Sequence, residues 1–185
     1  IFSGGQVPTK YFMPIQQLSK IEHFEELINE CKDLINRIPF KDQTLQLALQ
    51  VNNPNTTDWY TSCGRIFRIG YILNEQEYTH IQPDLKGSYI ESWLNSLPMP
   101  VFRARLMLVK PRTCYSIHND PSPRIHLPVI TDPHCLMYFP EKNITKHLPA
   151  DGFSYWINTK EKHTFMNCSE IDRIHLVAVT NTDLV

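Results

Sequence analysis

Apolar residues recur at the helical period over residues 20–37: Ile21, Phe24, Leu27, Ile28, Cys31, Leu34, Ile35 and Ile38 share one face. Ser19-Lys20-Ile21-Glu22 at the start has the capping-box pattern, in which the hydroxyl accepts from a free backbone N–H and the Glu reaches back. Pro39 ends the helix. A second box, Ser88-Tyr89-Ile90-Glu91, predicts a short helix with Ile90, Trp93, Leu94 and Leu97 turned inward, and Pro98 stops it.

The remainder reads as strands. Leu45, Leu47, Leu49 and Val51 alternate with polar or small residues, the period of a half-buried strand. Residues 103–109, 124–130, 136–139, 153–157 and 173–180 form short apolar or alternating runs separated by Pro, Asp, Asn and Gly. Residues 52–58, Asn-Asn-Pro-Asn-Thr-Thr-Asp, read as a loop. Helices first and then many short strands predict an α+β, mainly β chain. Strands of this size close into a jelly roll or a related double-stranded barrel, and an open sandwich gives the same pattern. The length of 185 residues fits one domain, with residues 1–100 as support and 101–185 as the barrel core.

Composition narrows the class. Hydrophobic residues make up 42% and charged residues 20%, as in an ordinary soluble protein. A formal net charge of −1 gives no general pull towards nucleic acid or an anionic membrane, so neither is an expected partner. Cys31, Cys63, Cys114, Cys135 and Cys168 are odd in number, widely spaced and without a CxxC pair, which points away from a zinc ribbon or disulfide framework and towards a reducing, cytoplasmic compartment. No run of 18 apolar residues spans a membrane. Ile1-Phe2-Ser3-Gly4-Gly5 does not read as a signal peptide, and a chain without an initial Met is expected to be trimmed or a fragment.

The chemistry centres on His118-Asn119-Asp120. In an extended segment residues i and i+2 point to the same side, so His118 and Asp120 can present an imidazole nitrogen and a carboxylate oxygen to one ion. His163 is the best third ligand. Two His and one carboxylate with open positions form the facial triad of Fe(II) oxygenases. Among eight histidines, a chance HxD competes with this reading.

Two further segments raise it. Arg173 leads the apolar run 174–179, ten residues after His163. A buried Arg needs an anionic partner: either the distal carboxylate of a co-substrate, which its guanidinium can grip through two oxygens, or a structural Glu or Asp. Arg124 and His126 share one side of a strand whose other side carries Ile125 and Leu127, so they line either a cavity or an exposed edge. Tyr155 and Trp156 read as core, His134 as surface, and His175 shares a strand face with Arg173. Arg65 and Arg68 flank Ile66-Phe67, as a solvated face or as binders of an acidic substrate.

Taken in order, these residues resemble the aspartyl/asparaginyl β-hydroxylase family of 2-oxoglutarate- and Fe(II)-dependent oxygenases. The resemblance covers residues 105–179, about two-fifths of the chain: His118, the R-x-H-L-P element at 124–128, Gly152, His163, Asn167 and Arg173. It implies a double-stranded β-helix of the jelly-roll or cupin-like kind, with the N-terminal helices packed on it. It also implies His118 and His163 as iron ligands, Arg173 as the anchor of 2-oxoglutarate, His126 beside the co-substrate, and Arg124 at the co-substrate or the prime substrate. Asp120 places the chain with the HxD branch, which is similar to the proline hydroxylases. Met107 stands where the family often has a small polar residue, leaving Arg105 or Tyr115 to complete the carboxylate clamp.

The expected activity is therefore hydroxylation of an amino acid, peptide residue or other small molecule, consuming O2 and 2-oxoglutarate and releasing succinate and CO2. The competing class is a non-oxygenase cupin-like metal protein or isomerase, with zinc or manganese in the same ligands.

Overall fold

The structure, a computed structural model, describes residues 13–68 and 70–184; Ile1-Phe2-Ser3-Gly4-Gly5 lies outside them. The chain opens with β1 (Ile15–Lys20), α1 (Phe24–Arg37), β2 (Gln46–Ala48) and β3 (Gln50–Val51). A small hairpin of β4 (Phe67–Arg68) and β5 (Tyr71–Ile72), a 3-10 turn at Glu75–Glu77, β6 (His80–Ile81) and α2 (Tyr89–Ser96) follow. The C-terminal half is β7 (Phe102–Val109), β8 (Thr113–Cys114), β9 (Arg124–Ile130), β10 (Cys135–Phe139), β11 (Ile144–His147), β12 (Phe153–Ile157), β13 (Thr164–Asn167) and β14 (Arg173–Val179).

Two antiparallel sheets face each other. The larger has the order β1-β12-β9-β14-β7-β2, the smaller β11-β10-β13-β8. Alternation along the strands divides the side chains between two cores. Ala104, Leu106, Leu108, Ile125, Leu127, Val129, Trp156, Ile174 and Leu176 leave the outer face of the large sheet and pack against Leu27, Cys31 and Leu34 of α1 and Ile90, Trp93 and Leu94 of α2. Val109, Tyr155 and Ile157 point inward and meet Cys135, Met137, Phe139 and Phe165 of the small sheet. Tyr155 and Trp156 are thus both core, on opposite faces.

Three local expectations are corrected. The first helix begins at Phe24, and Ser19 and Lys20 belong to β1, where Lys20 pairs with Phe153. The backbone N–H of Ile21 donates to Gly152 O at 2.9 Å, so this stretch is committed to the sheet edge and cannot start a helix. His23, in the left-handed region at φ 55°, becomes the N-cap and makes no side-chain capping bond. The second box forms with a different return bond: Ser88 Oγ accepts from Glu91 N at 3.1 Å, while Glu91 Oε2 accepts from Gly87 N at 2.6 Å. Finally, the polar residues alternating with Leu47 and Leu49 do not face solvent. Gln46, Ala48 and Gln50 are buried as well, because this edge of the sheet is covered on both faces.

Among the described residues no helix is long and apolar enough to cross a membrane.

Candidate metal centre and anion pocket

His118 lies in the loop after β8, and His163 immediately before β13. They pair across an antiparallel bridge, His118 N to His163 O at 3.0 Å and His163 N to His118 O at 2.8 Å. Directly opposed residues send their side chains to the same face, and the two rings stand 4.5 Å apart between centroids. Asp120 is held from the same neighbouring segment, its N–H donating to Thr159 O at 2.7 Å. One ligand atom from each of His118, Asp120 and His163 lies within 4.8 Å of the others.

The tautomers suit a cation. His118 Nδ1 lies 2.7 Å from Ser116 O and His163 Nδ1 2.9 Å from Glu161 O. A carbonyl only accepts, so the proton of each ring sits on Nδ1 and the Nε2 lone pair is free. Burial lowers the pKa of His163, against the pull of the Glu161 carbonyl, and favours the neutral ring.

Strand register assigns the remaining residues to the inner face of the large sheet. His175 stands opposite Pro128 and Met107, and Val177 opposite His126 and Arg105. Val179 stands opposite Arg124, and Arg173 opposite Val109. Arg124, His126, Arg173 and His175 therefore share the inner face of the large sheet. Arg124, His126, His163, Arg173 and His175 are buried, and His118 and Asp120 are half-buried. His134 is on the surface, paired with Asp132 at 2.7 Å. Arg68 folds back on its own hairpin, donating to Cys63 O at 2.6 Å and Tyr71 Oη at 2.8 Å.

Arg173 is 2% exposed and has no carboxylate partner among the described residues. Its guanidinium lies 3.6 Å above the Phe165 ring, and Nη2 contacts His175 Nδ1 and, at 3.4 Å, His126 Nδ1. A guanidinium only donates, so His175 accepts through Nδ1 and carries its proton on Nε2, while His126 Nδ1 lies 3.3 Å from His175 Nδ1 as well as 3.4 Å from Arg173 Nη2. Among the described residues, Arg173 Nε and His175 Nε2 are then buried donors without an acceptor. Burial pulls Arg173 down to about 9, still cationic at neutral pH, and pushes His126 and His175 well below the usual histidine range, so both stay neutral. A buried cation beside unsatisfied donors fits a carboxylate.

Arg124 is tied differently. Its Nε lies 3.4 Å from Asp120 Oδ2, and its Nη2 lies 3.1 Å from Glu75 Oε1. Glu75 also pairs with Arg103 Nη1 at 2.6 Å. Glu75 and Arg103 were not among the sequence candidates. Glu75 sits in a polar run with no periodicity, whereas Arg103 and Arg105 show the same i, i+2 pairing that marks Arg124 and His126.

No protein-family model matches this chain, and no curated protein matches it by sequence. Solved structures do match in shape. The viral collagen prolyl hydroxylase vCPH of Paramecium Bursaria Chlorella virus-1, as its 2OG complex, is 10% identical with a TM-score of 0.52, over 93% of this chain and 97% of that one. A truncated form of the same enzyme gives 8% identity and a TM-score of 0.53 over 99% and 98%. A Pseudomonas putida prolyl-4-hydroxylase gives 11% and 0.50 over 92% and 94%. At such identities the likeness concerns the fold: the chain is a double-stranded β-helix, mainly β, with two α-helices packed on its larger sheet.

Proposed function

We propose that this protein is a 2-oxoglutarate- and Fe(II)-dependent oxygenase of the aspartyl/asparaginyl β-hydroxylase type, hydroxylating an amino acid, a peptide residue or another small molecule. The observation that carries the reading is a conjunction inside one barrel: a His-Asp-His group whose Nδ1 atoms face backbone carbonyls, and a buried arginine with no carboxylate partner among the described residues. The likeness in fold to hydroxylases and the ordered motif over residues 105–179 support it.

His118, Asp120 and His163 would hold the iron, a two-His, one-carboxylate donor set that suits non-haem Fe(II). When bound, the iron with O2 and 2-oxoglutarate supplies oxidation of an unactivated C–H bond, with succinate and CO2 as co-products. The chain's residues do the rest. Arg173 receives the distal carboxylate, with His126 and His175 fixing its guanidinium and Phe165 beneath it. Arg124 orients Asp120. Val109, Met137, Phe139 and Ile157 keep water from the pocket wall.

Fe(II) followed by 2-oxoglutarate, added anaerobically, should produce a visible metal-to-ligand charge-transfer band that is absent in His118→Ala. Iron binding without the band would remove the co-substrate and favour a cupin-like metal protein or isomerase.

A further inference from the structure

The metal ligand His163 and the buried Arg173 stand on different sheets. His163 comes immediately before β13 of the small sheet, and Arg173 leads β14 of the large one, so no strand ladder fixes the separation between them. One buried side chain joins the two sheets at this place. Asn167, the last residue of β13, is 1% exposed, and its backbone pairs within the small sheet with Cys135 and Thr113. Its side chain reaches the other way. Nδ2 donates to Val109 O and to Ile171 O, both at 2.9 Å. Val109 stands directly opposite Arg173 in the large sheet, and Ile171 lies two residues before Arg173 in the connection to β14.

The amide is locked. Oδ1 accepts from Ser169 N at 3.1 Å and from the Cys135 thiol at 3.2 Å, and it lies 2.7 Å from Ser169 Oγ. A backbone N–H only donates and a carbonyl only accepts, so the amide has one orientation, with both of its N–H groups used. His163, Phe165 and Asn167 alternate along one extended segment and turn to the same side. Phe165 lies 3.6 Å beneath the Arg173 guanidinium. The segment that brings the metal ligand thus supports Arg173 twice: Phe165 at the side chain, and Asn167 at the backbone on either side of it.

We propose that Asn167 is a positioning residue that sets the span from the metal centre to Arg173, and through it the chain length of the 2-oxo acid accepted. The inference rests on the oxygenase reading, in which Arg173 holds the distal carboxylate. A rigid span rejects a diacid one methylene longer. Without the amide, the start of β14 can shift against β13, and the longer diacid gains entry.

The test is isothermal titration calorimetry of Zn(II)-loaded protein with 2-oxoglutarate, 2-oxoadipate and 2-oxovalerate. 2-Oxoadipate is one methylene longer than 2-oxoglutarate, and 2-oxovalerate has the same length without the distal carboxylate. The wild type should bind 2-oxoglutarate about ten-fold or more tightly than either, the usual worth of one methylene in a fitted pocket. Asn167→Ala should narrow the gap between the two diacids about five-fold or more. A residue that serves only the fold would weaken both diacids alike, so an unchanged ratio in Asn167→Ala overturns the proposal. A wild type that binds the two diacids equally overturns it as well. 2-Oxoglutarate binding no tighter than 2-oxovalerate would instead remove Arg173 as the anchor, and the oxygenase reading would fail together with this inference. Should Asn167→Ala not fold, Ser169→Ala decides. It removes the hydroxyl beside Asn167 Oδ1 and keeps the backbone bond. Its diacid ratio should narrow about two-fold or more, and an unchanged ratio there overturns the proposal.

Discussion

On the proposed function, Arg173 would serve binding at the expense of the free protein. Its cation is desolvated, its nearest neighbours are two neutral imidazoles and a phenyl ring, and its Nε has no acceptor. Removing an uncompensated buried charge in favour of an apolar side chain is neutral or stabilising. Arg173→Met should therefore leave the metal-free protein as stable as the wild type or up to about 2 kcal/mol more stable in urea denaturation. The same variant should raise the KM for 2-oxoglutarate about 10- to 100-fold, the loss of a charged hydrogen bond of about 1.5–3 kcal/mol. An unchanged KM would move the anchor to another residue. The identity of such residues was legible in sequence because each breaks a pattern: His118 and Asp120 share a side, and Arg124, His126 and Arg173 interrupt apolar strands. Glu75 breaks none. Its role depends on Arg103 and Arg124, which are distant in sequence and close only after folding.

At the scale of elements, legibility followed burial. The runs 124–130 and 153–157 coincide with β9 and β12, and 173–180 overshoots β14 by one residue, because strands covered on both faces are apolar along their length. β1, β8, β11 and β13 escaped notice. β8, β11 and β13 have four residues or fewer, and β1, β8 and β11 carry half-exposed polar residues that lack clean alternation. The misplaced start of α1 has the same origin: the sequence offers a capping box, and the sheet edge takes the backbone first. Gly152 makes that edge possible. It sits at φ +91°, and a Cβ there would lie 3.1 Å from Lys20 Cε and 3.3 Å from Phe24 Cγ. Gly152→Ala should cost about 1–3 kcal/mol through backbone strain and displacement of Phe24 from the start of α1. Thermal denaturation would show it, and an unchanged Tm would mean that the β1–α1 junction relaxes freely.

At the scale of the whole molecule, the N-terminal half, whose β1 and β2 extend the large sheet by pairing with β12 and β7, meets the barrel through its side chains in two physically different ways. One is apolar: α1 and α2 cover the outer face of the large sheet, with Trp59, Trp93 and Trp156 all in that core. The other is ionic: Glu75, in the 3-10 turn between the hairpin and β6, reaches the inner wall and binds both Arg103 and Arg124. Glu75 is 6% exposed, so its loss would leave two guanidiniums facing each other in a dry interior. Glu75→Ala should destabilise by about 3–5 kcal/mol, the range for breaking a buried charge pair from one side. If residues 13–100 and the barrel fold as one domain, this loss should shift a single urea transition, with tryptophan fluorescence and far-UV circular dichroism moving together. Separate transitions would divide the chain at the helix-to-barrel boundary instead. Because Arg124 also holds Asp120, the variant should bind Fe(II) more weakly than Gly152→Ala does, even where the two are equally destabilised. Equal iron affinity in both would show that Glu75 acts on the fold alone and not on the metal centre.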